Sequence, residues 1–276
     1  MLFRSNGPIR RFLNNLLRHG LLKKIGLDSC RQIIVGSATS DPALLGFFKD
    51  LGIEIHNAYG LTEAPLVTLN RLGHNKIDSL GEALPDTHIQ IKDDGEIYVQ
   101  GPQVAAGYFH HNTIEPFVNN WLETGDLGYL NNDGYLMLSG RKKDILVTSY
   151  AKNIIPTLIE ANLRAIPGIS EALLIGEGRS YCSALLWLEE ENWNAEICEK
   201  ITQGIRNINA NCSHPEQIKR WAILPGTLTA EDGSLTGSMK IRRGILTERY
   251  AAIIEAIYQG TTPENALFCG GINRTS

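Results

Sequence analysis

Apolar and polar positions alternate in three textures along the chain, and each predicts a different kind of packing. Ile9, Phe12, Leu13, Leu16, Leu17 and Leu21 recur at helical spacing, so the opening segment reads as an amphipathic helix. Arg31 to Val35 is a β-branched run ending at Gly36, a buried strand entering a loop. Asp41-Pro42 then supplies an N-cap and a proline at the first helical position. The helix predicted over 42–50 stops at Leu51-Gly52, and Ile53 to Asn57 reads as the next strand. This α/β rhythm delivers Tyr59-Gly60-Leu61-Thr62-Glu63 to the carboxyl end of a strand, where open α/β sheets bind ligands.

From Gly81 to Ser139 the runs become short and alternating. His88 to Ile91 and Glu96 to Gln100 flank Asp93-Asp94-Gly95, while Tyr129-Leu130 and Tyr135 to Leu138 flank Asn131-Asn132-Asp133-Gly134, which predicts a small antiparallel sheet or barrel. After Gly140 the spacing predicts a helix over Pro156 to Ile166, strands over 169–176 and 181–188, a helix over 194–210, a strand over 218–224, a Gly/Thr/Ser-rich loop over 225–239 and a helix over 243–259. The fold class is therefore α/β followed by a compact α+β module. The expected organisation is a first domain over 1–140, with its α/β layer in 1–80 and its β-rich part in 81–140. A second domain covers 141–260 with a hinge at 141–144, and an aperiodic, loose tail covers 261–276.

Composition narrows the function classes. The chain has 276 residues, 26 Lys+Arg against 30 Asp+Glu and a net charge of -4, which argues against a general nucleic-acid surface and toward small-molecule partners. Five cysteines without a Cys-x-x-Cys pair give neither a disulfide frame nor a zinc knuckle. Apolar stretches such as Ala184 to Leu188 fall far short of the ~18 residues of a membrane span. Arg4, Arg10, Arg11, Arg18, Lys23 and Lys24 precede the first acid, Asp28, so the opening helix is basic. It reads as one helix of a larger domain, with a membrane-surface anchor or organelle presequence as the alternatives.

Candidate chemistry gathers at element ends. Thr62-Glu63 offers a hydroxyl and a carboxylate to a phosphate and a magnesium ion, or else caps a helix N-terminus. Thr124-Gly125-Asp126 places a carboxylate on a tight turn, suited to a ribose diol or simply to turning the chain. Gly140-Arg141-Lys142-Lys143-Asp144 is either a nucleotide-holding arginine with its neighbours or a solvated linker. Gly233-Ser234-Leu235-Thr236-Gly237-Ser238-Met239-Lys240 reads as a flexible loop that carries a point charge, as surface loops also do without a function.

Taken in order, Gly36-Ser37-Ala38, Tyr59 to Glu63, Gly81-Glu82-Ala83-Leu84-Pro85, Gly95-Glu96-Ile97 with Gly107-Tyr108, Thr124-Gly125-Asp126, Gly140 to Asp144 and the Lys240 loop resemble the ordered motifs of the adenylate-forming (AMP-binding) superfamily, the acyl-CoA synthetases. The resemblance runs from about Gly26 to Gln259. Thr148 to Asn153 and Leu235 to Arg243 look most like bacterial long-chain fatty acyl-CoA synthetases. It implies the remnant of a large N-terminal α/β domain with a small antiparallel β-barrel, followed by a small α+β C-terminal lid domain.

It also implies site roles and chemistry. Gly36, Ser37 and Ala38 would form the wall against the adenine, Tyr59 with Gly60 the stacking aromatic, and Thr62 the AMP phosphate contact. Glu63 would ligate Mg²⁺, and Asp126 would accept both ribose hydroxyls with help from Arg141. Lys143 falls at the hinge, Ser149, Tyr150 and Ala151 line the coenzyme A channel, and Lys240 bridges the carboxylate substrate and the α-phosphate. The implied reaction is activation of a fatty acid by ATP to an acyl-AMP, then transfer to coenzyme A.

Two departures stand out. Ala151 occupies a position where the family usually has glycine, and the family's Ser/Thr/Gly-rich loop followed by lysine has no counterpart, since the chain contains no Gly-Lys dipeptide. The resemblance therefore implies the C-terminal half of such an enzyme, with negligible ligase activity alone. The alternative is a non-catalytic adenylate-binding or docking module that complements a separate N-terminal half. The expected location is cytoplasmic, with peripheral contact at the inner membrane face left open.

Overall fold

A computed structural model describes residues 18–36, 42–108, 117–190, 194–237, 239–263 and 265–272. The chain divides into two compact units, Met1–Lys142 and Lys143–Ser276. Most of the predicted opening helix, together with Ser37, Ala38 and the Asp41 cap, lies outside the described residues; only α1 (18–24) belongs to them.

In the first unit, β1 (Ile33–Val35), α2 (Pro42–Asp50), β2 (Ile55–Leu61), β3 (Ala64–Leu69) and β4 (Glu82–Ala83) follow in order. β1 and β2 are parallel, and β2, β3 and β4 are antiparallel. β2 therefore runs through Tyr59 and Gly60 and does not stop at Asn57. Thr62-Glu63 is the two-residue turn of a hairpin, with Leu61 facing Ala64 across it, and not the start of a helix. The β-branched and apolar residues after the turn put Ala64, Val67 and Thr68 in buried positions, which suits a strand there.

The β-rich part is an open sheet of β5 (His88–Ile91), β6 (Glu96–Gln100), β8 (Trp121–Leu130) and β7 (Phe117–Val118), with β9 (Leu136–Arg141) also on β8. The expected barrel is corrected. β7 and β9 share one edge of the long β8, and among the described residues β5 pairs with neither, so no ladder closes the sheet. Tyr59, Ala64 and Val67 from the first sheet pack with Ile97, Val99, Leu122 and Leu136 from the second. That shared core brings β2 against β8.

The second unit holds β10 (Leu146–Val147), β11 (Asn153–Ile154), α3 (Pro156–Arg164), β12 (Ile169–Ile175), β13 (Cys182–Leu188), α4 (Ala195–Asn209), β14 (Ile218–Leu224), α5 (Arg243–Arg249), α6 (Ala251–Gln259) and β15 (Phe268–Gly271). Its four-stranded sheet has the order β12-β13-β14-β15. Every residue of β13 is buried, because α3 and α4 cover one face of the sheet and α5 and α6 the other.

Two expectations change here. The helix predicted over 243–259 is two helices meeting at Tyr250, whose φ of -102° and ψ of 19° break the spiral while its ring packs 5.8 Å from Trp187. The tail is not uniformly loose: Phe268–Gly271 pairs antiparallel with β14. A four-residue edge strand containing Gly270 and Gly271 leaves little periodic signal.

Candidate functional site

Sequence-predicted residues fall into two clusters, one in each unit. In the first, Tyr59 is 7 % exposed and packed in the core of its unit. Its hydroxyl donates a 2.7 Å hydrogen bond to Oδ2 of Asp126, and Arg141 Nε stands 3.5 Å from Oδ1 of the same carboxylate. Burial, followed by the nearby Asp126 charge, pushes the Tyr59 hydroxyl far above the usual phenol range, so it stays a donor. The ring is enclosed rather than open to a stacking partner. In this structure the clearest role of Tyr59 is to aim Asp126.

The hairpin around Tyr59 tolerates only glycine at its neighbour. A Cβ at Gly60 would lie 2.2 Å from the Pro65 carbonyl oxygen, because β3 crosses close beneath it at the register shift between Tyr59 and Leu61. Beyond the strand, Thr62 is exposed, and Glu63 accepts a hydrogen bond from the Tyr108 hydroxyl. Gly36 closes the other side, with space for a Cβ only 3.2 Å from the Ala58 carbonyl oxygen.

The Thr124-Gly125-Asp126 segment is fixed from below. Thr124 Oγ1 donates to the Ile97 carbonyl and accepts from the Asp126 amide. Gly125 lies at φ +69°, and its amide donates to Oε1 of Glu96 at 3.0 Å. Oε2 of the same carboxylate, on a residue 4 % exposed, holds Lys142 Nζ at 2.6 Å, and Asp94 Oδ2 holds that ammonium from the other side. These bonds raise the Lys142 pKa and lower that of Asp94. Sequence reasoning assigned no role to Glu96, Lys142 or Tyr108. The signal available for Glu96 was its place in the Gly95-Glu96-Ile97 motif, as a carboxylate at the head of a strand just before the buried Ile97.

In the second unit Lys143, Ser149 and Lys240 are exposed, and Tyr150 is 68 % exposed. Residues 148–152 form a tight loop, with the Ala151 amide on the Thr148 carbonyl and the Lys152 amide on Thr148 Oγ1. Ala151 sits at φ +55°, in the left-handed region that suits glycine.

Apart from Ser238, which lies outside the described residues, the segment carrying Lys240 is tied into a hairpin where its composition suggested a flexible loop. Leu235 bridges Ile241, the Thr236 amide donates to the Lys240 carbonyl, and the Lys240 amide donates to Thr236 Oγ1. Arg249 clamps its base by donating to Asp232 Oδ2, the Asp232 carbonyl and Ser234 Oγ. The Ser234 amide and hydroxyl and the Arg249 guanidinium hold the Asp232 carboxyl well below the usual carboxylate range. Three residues past Lys240, Arg243 donates to Glu160 and the Leu174 carbonyl, which anchors the hairpin's exit to α3 and β12.

The first unit thus carries a braced carboxylate at Asp126 and the second a hairpin that presents Lys240. The AMP-binding enzyme family model matches residues 9–109, and the AMP-binding enzyme C-terminal domain model matches residues 143–262. The chain belongs to the AMP-binding enzyme family.

Among curated relatives it is 34% identical over 253 residues to the long-chain-fatty-acid--CoA ligase FadD15 of Mycobacterium bovis, covering 83% of this chain and 42% of that protein. The chain thus spans less than half the length of that relative. Among solved structures it resembles O-succinylbenzoate coenzyme A synthetase of Bacillus subtilis in complex with AMP, with a TM-score of 0.67 and 25% identity over 84% of this chain and 49% of that one. The same enzyme in complex with ATP and magnesium ion matches with a TM-score of 0.63 and 25% identity over 79% of this chain and 46% of that one. Among the described residues no helix is long and apolar enough to cross a membrane.

Proposed function

We propose that this chain supplies the adenylate-holding part of an AMP-forming acyl-CoA ligase whose carboxylate substrate is a long-chain fatty acid. The observation that carries the reading is the Asp126 carboxylate, 18 % exposed and aimed by Tyr59 and Arg141. A carboxylate held this way accepts the two hydroxyls of a ribose without paying to be ordered at binding. The fatty-acid class rests on the relative's name.

In the proposed reaction a carboxylate oxygen attacks the α-phosphate of ATP and pyrophosphate leaves, giving acyl-AMP. The coenzyme A thiolate then attacks the acyl carbonyl and AMP leaves. Both steps depend on positioning and on neutralising phosphoryl charge. Asp126 orients the ribose, the Thr62 hydroxyl contacts a phosphate oxygen, and Lys240 brings an ammonium to the developing negative charge. Lys143 serves as the hinge between half-reactions, and the exposed turn at Ser149, Tyr150 and Ala151 offers the path for coenzyme A. Gly36, Ser37, Ala38 and Gly60 shape the adenine side.

Magnesium fits this arrangement as a partner of the nucleotide. Among the described residues no group of three or more His, Cys, Asp or Glu side chains could cage a metal, while Glu63 is a half-buried carboxylate beside the exposed Thr62. One carboxylate plus substrate phosphates is the usual magnesium environment. Glu63 would hold the ion, which supplies charge neutralisation on the phosphates.

No Gly-Lys dipeptide occurs in these 276 residues, and we place the phosphate-gripping function on an N-terminal segment of the kind the longer relatives have room for. The test is acyl-CoA formation from a long-chain acid, ATP and coenzyme A, with this chain alone and with the upstream segment of a curated relative added. Activity only in the mixture supports the reading. Full turnover by the chain alone overturns the proposed division, and AMP binding without turnover in either case favours the non-catalytic binding module.

A further inference from the structure

Outside the assigned residues, Glu96 is a buried carboxylate that the mechanism leaves unused. Its two oxygens serve different masters. Oε1 accepts the amide of Gly125, one residue before Asp126, and Oε2 accepts the ammonium of Lys142, the last residue of the first unit. Burying a carboxylate is costly unless it is fully paired, and here both pairings are made at 3.0 and 2.6 Å.

The Glu96 side chain is only 5 % exposed, while those of Lys142 and Asp94 are each 49 % exposed, so the buried carboxylate ties two surface groups to the sheet. Glu96 opens β6 opposite Leu127 of β8. Its own amide donates to Oδ1 of Asp94, which also gives Oδ2 to Lys142. The Gly128 amide donates to the Gly95 carbonyl, which locks the same turn onto β8. Gly125, at φ +69°, lies where the register between β6 and β8 shifts, so its amide is free of the regular ladder to reach Glu96.

We infer that Glu96 is a positioning residue for nucleotide binding, holding the Gly125–Asp126 peptide and the Lys142 end of the first unit on one carboxylate so that the ribose-facing carboxylate is preset only while Lys142 is in place. The inference rests on the proposed ribose role of Asp126 and deepens it. It assigns a function to Lys142 that is distinct from those proposed for Arg141 and Lys143. Neither Glu96 nor Lys142 touches the nucleotide in this account.

Titration calorimetry with AMP, paired with hydrogen exchange at the Gly125 amide, tests it on the full chain. Glu96→Gln keeps the shape but removes the charge, and Lys142→Met leaves the Glu96 charge unpaired. Each is expected to weaken AMP about tenfold and to speed Gly125 exchange at least as much. The double variant should be little worse than either single change, since both remove one linkage. Lys142→Arg should restore AMP affinity to within about twofold, which a general loss of stability would not do.

Wild-type affinity in both single variants, with Asp126→Ala defective, overturns the inference and leaves the ribose assignment standing. If the unaltered chain does not bind AMP, the ribose assignment falls instead. The linkage is then decided by exchange alone: faster Gly125 exchange in Lys142→Met supports it, and unchanged exchange overturns it.

Discussion

The Tyr59 hydroxyl and Asp126 Oδ2 are joined by a 2.7 Å hydrogen bond across 67 residues of sequence. A hydrogen bond to a charged group contributes about 1.5–3 kcal/mol, and this one also fixes the direction of the carboxylate. Tyr59→Phe keeps the packed ring and removes only the donor. It is expected to destabilise the chain by about 1–2 kcal/mol in urea unfolding and to weaken AMP three- to tenfold in calorimetry. An unchanged AMP affinity would show that Asp126 needs no such support.

Gly60 makes a steric prediction at the same hairpin. With a Cβ 2.2 Å from the Pro65 carbonyl oxygen, Gly60→Ala cannot be absorbed by a side-chain rotation. The β2–β3 pairing must shift, at a cost of ~2–3 kcal/mol by analogy with overpacked cores. Circular dichroism melting checks it, and a melting temperature equal to wild type would refute the close approach.

Ala151 makes the opposite prediction. A non-glycine residue at φ +55° carries about 1–2 kcal/mol of backbone strain, so Ala151→Gly should relieve it, partly offset by the greater freedom of glycine in the unfolded chain. The expected net gain is roughly 0.5–1 kcal/mol in urea unfolding. A net loss would mean that the methyl group makes contacts worth more than the strain.

Asp232 gives a pH dependence with a definite sign. Its folded pKa is depressed, first by the Ser234 amide and then by the Ser234 hydroxyl and Arg249. The stability it contributes is therefore fully present above its unfolded value of about 3.9 and is lost as pH falls below that toward the folded value. The urea midpoint of Asp232→Asn should lie below that of wild type at pH 7, and the gap should narrow between pH 4 and pH 3. A gap that stays constant with pH would show that the clamp on the Lys240 hairpin does not depend on this charge.

How far the sequence announces this molecule depends on the range of the contacts involved. Strand 218–224 is legible because Trp221, Ala222, Ile223 and Leu224 form an apolar run buried by helices on both faces. The Thr62-Glu63 turn is ambiguous locally, since threonine followed by an acid and Pro65 also suits a helix start; only the pairing of Leu61 with Ala64 decides it. Likewise, glycine, serine and threonine around Lys240 suggest flexibility, yet Arg249 and Arg243 brace that segment from neighbouring elements. The ordered motifs named Tyr59, Asp126 and Arg141, but not that Tyr59 supports the Asp126 carboxylate or that Glu96 holds the Gly125 amide, since those contacts form only between strands brought together by the shared core.

Binding of AMP to the unaltered chain and to Asp126→Ala, measured side by side by titration calorimetry, tests the central claim most directly. The expected result is measurable binding to the former and at least a tenfold loss in the latter, with the fold retained by circular dichroism. Equal affinity in the two proteins would contradict the assignment of Asp126 to the ribose.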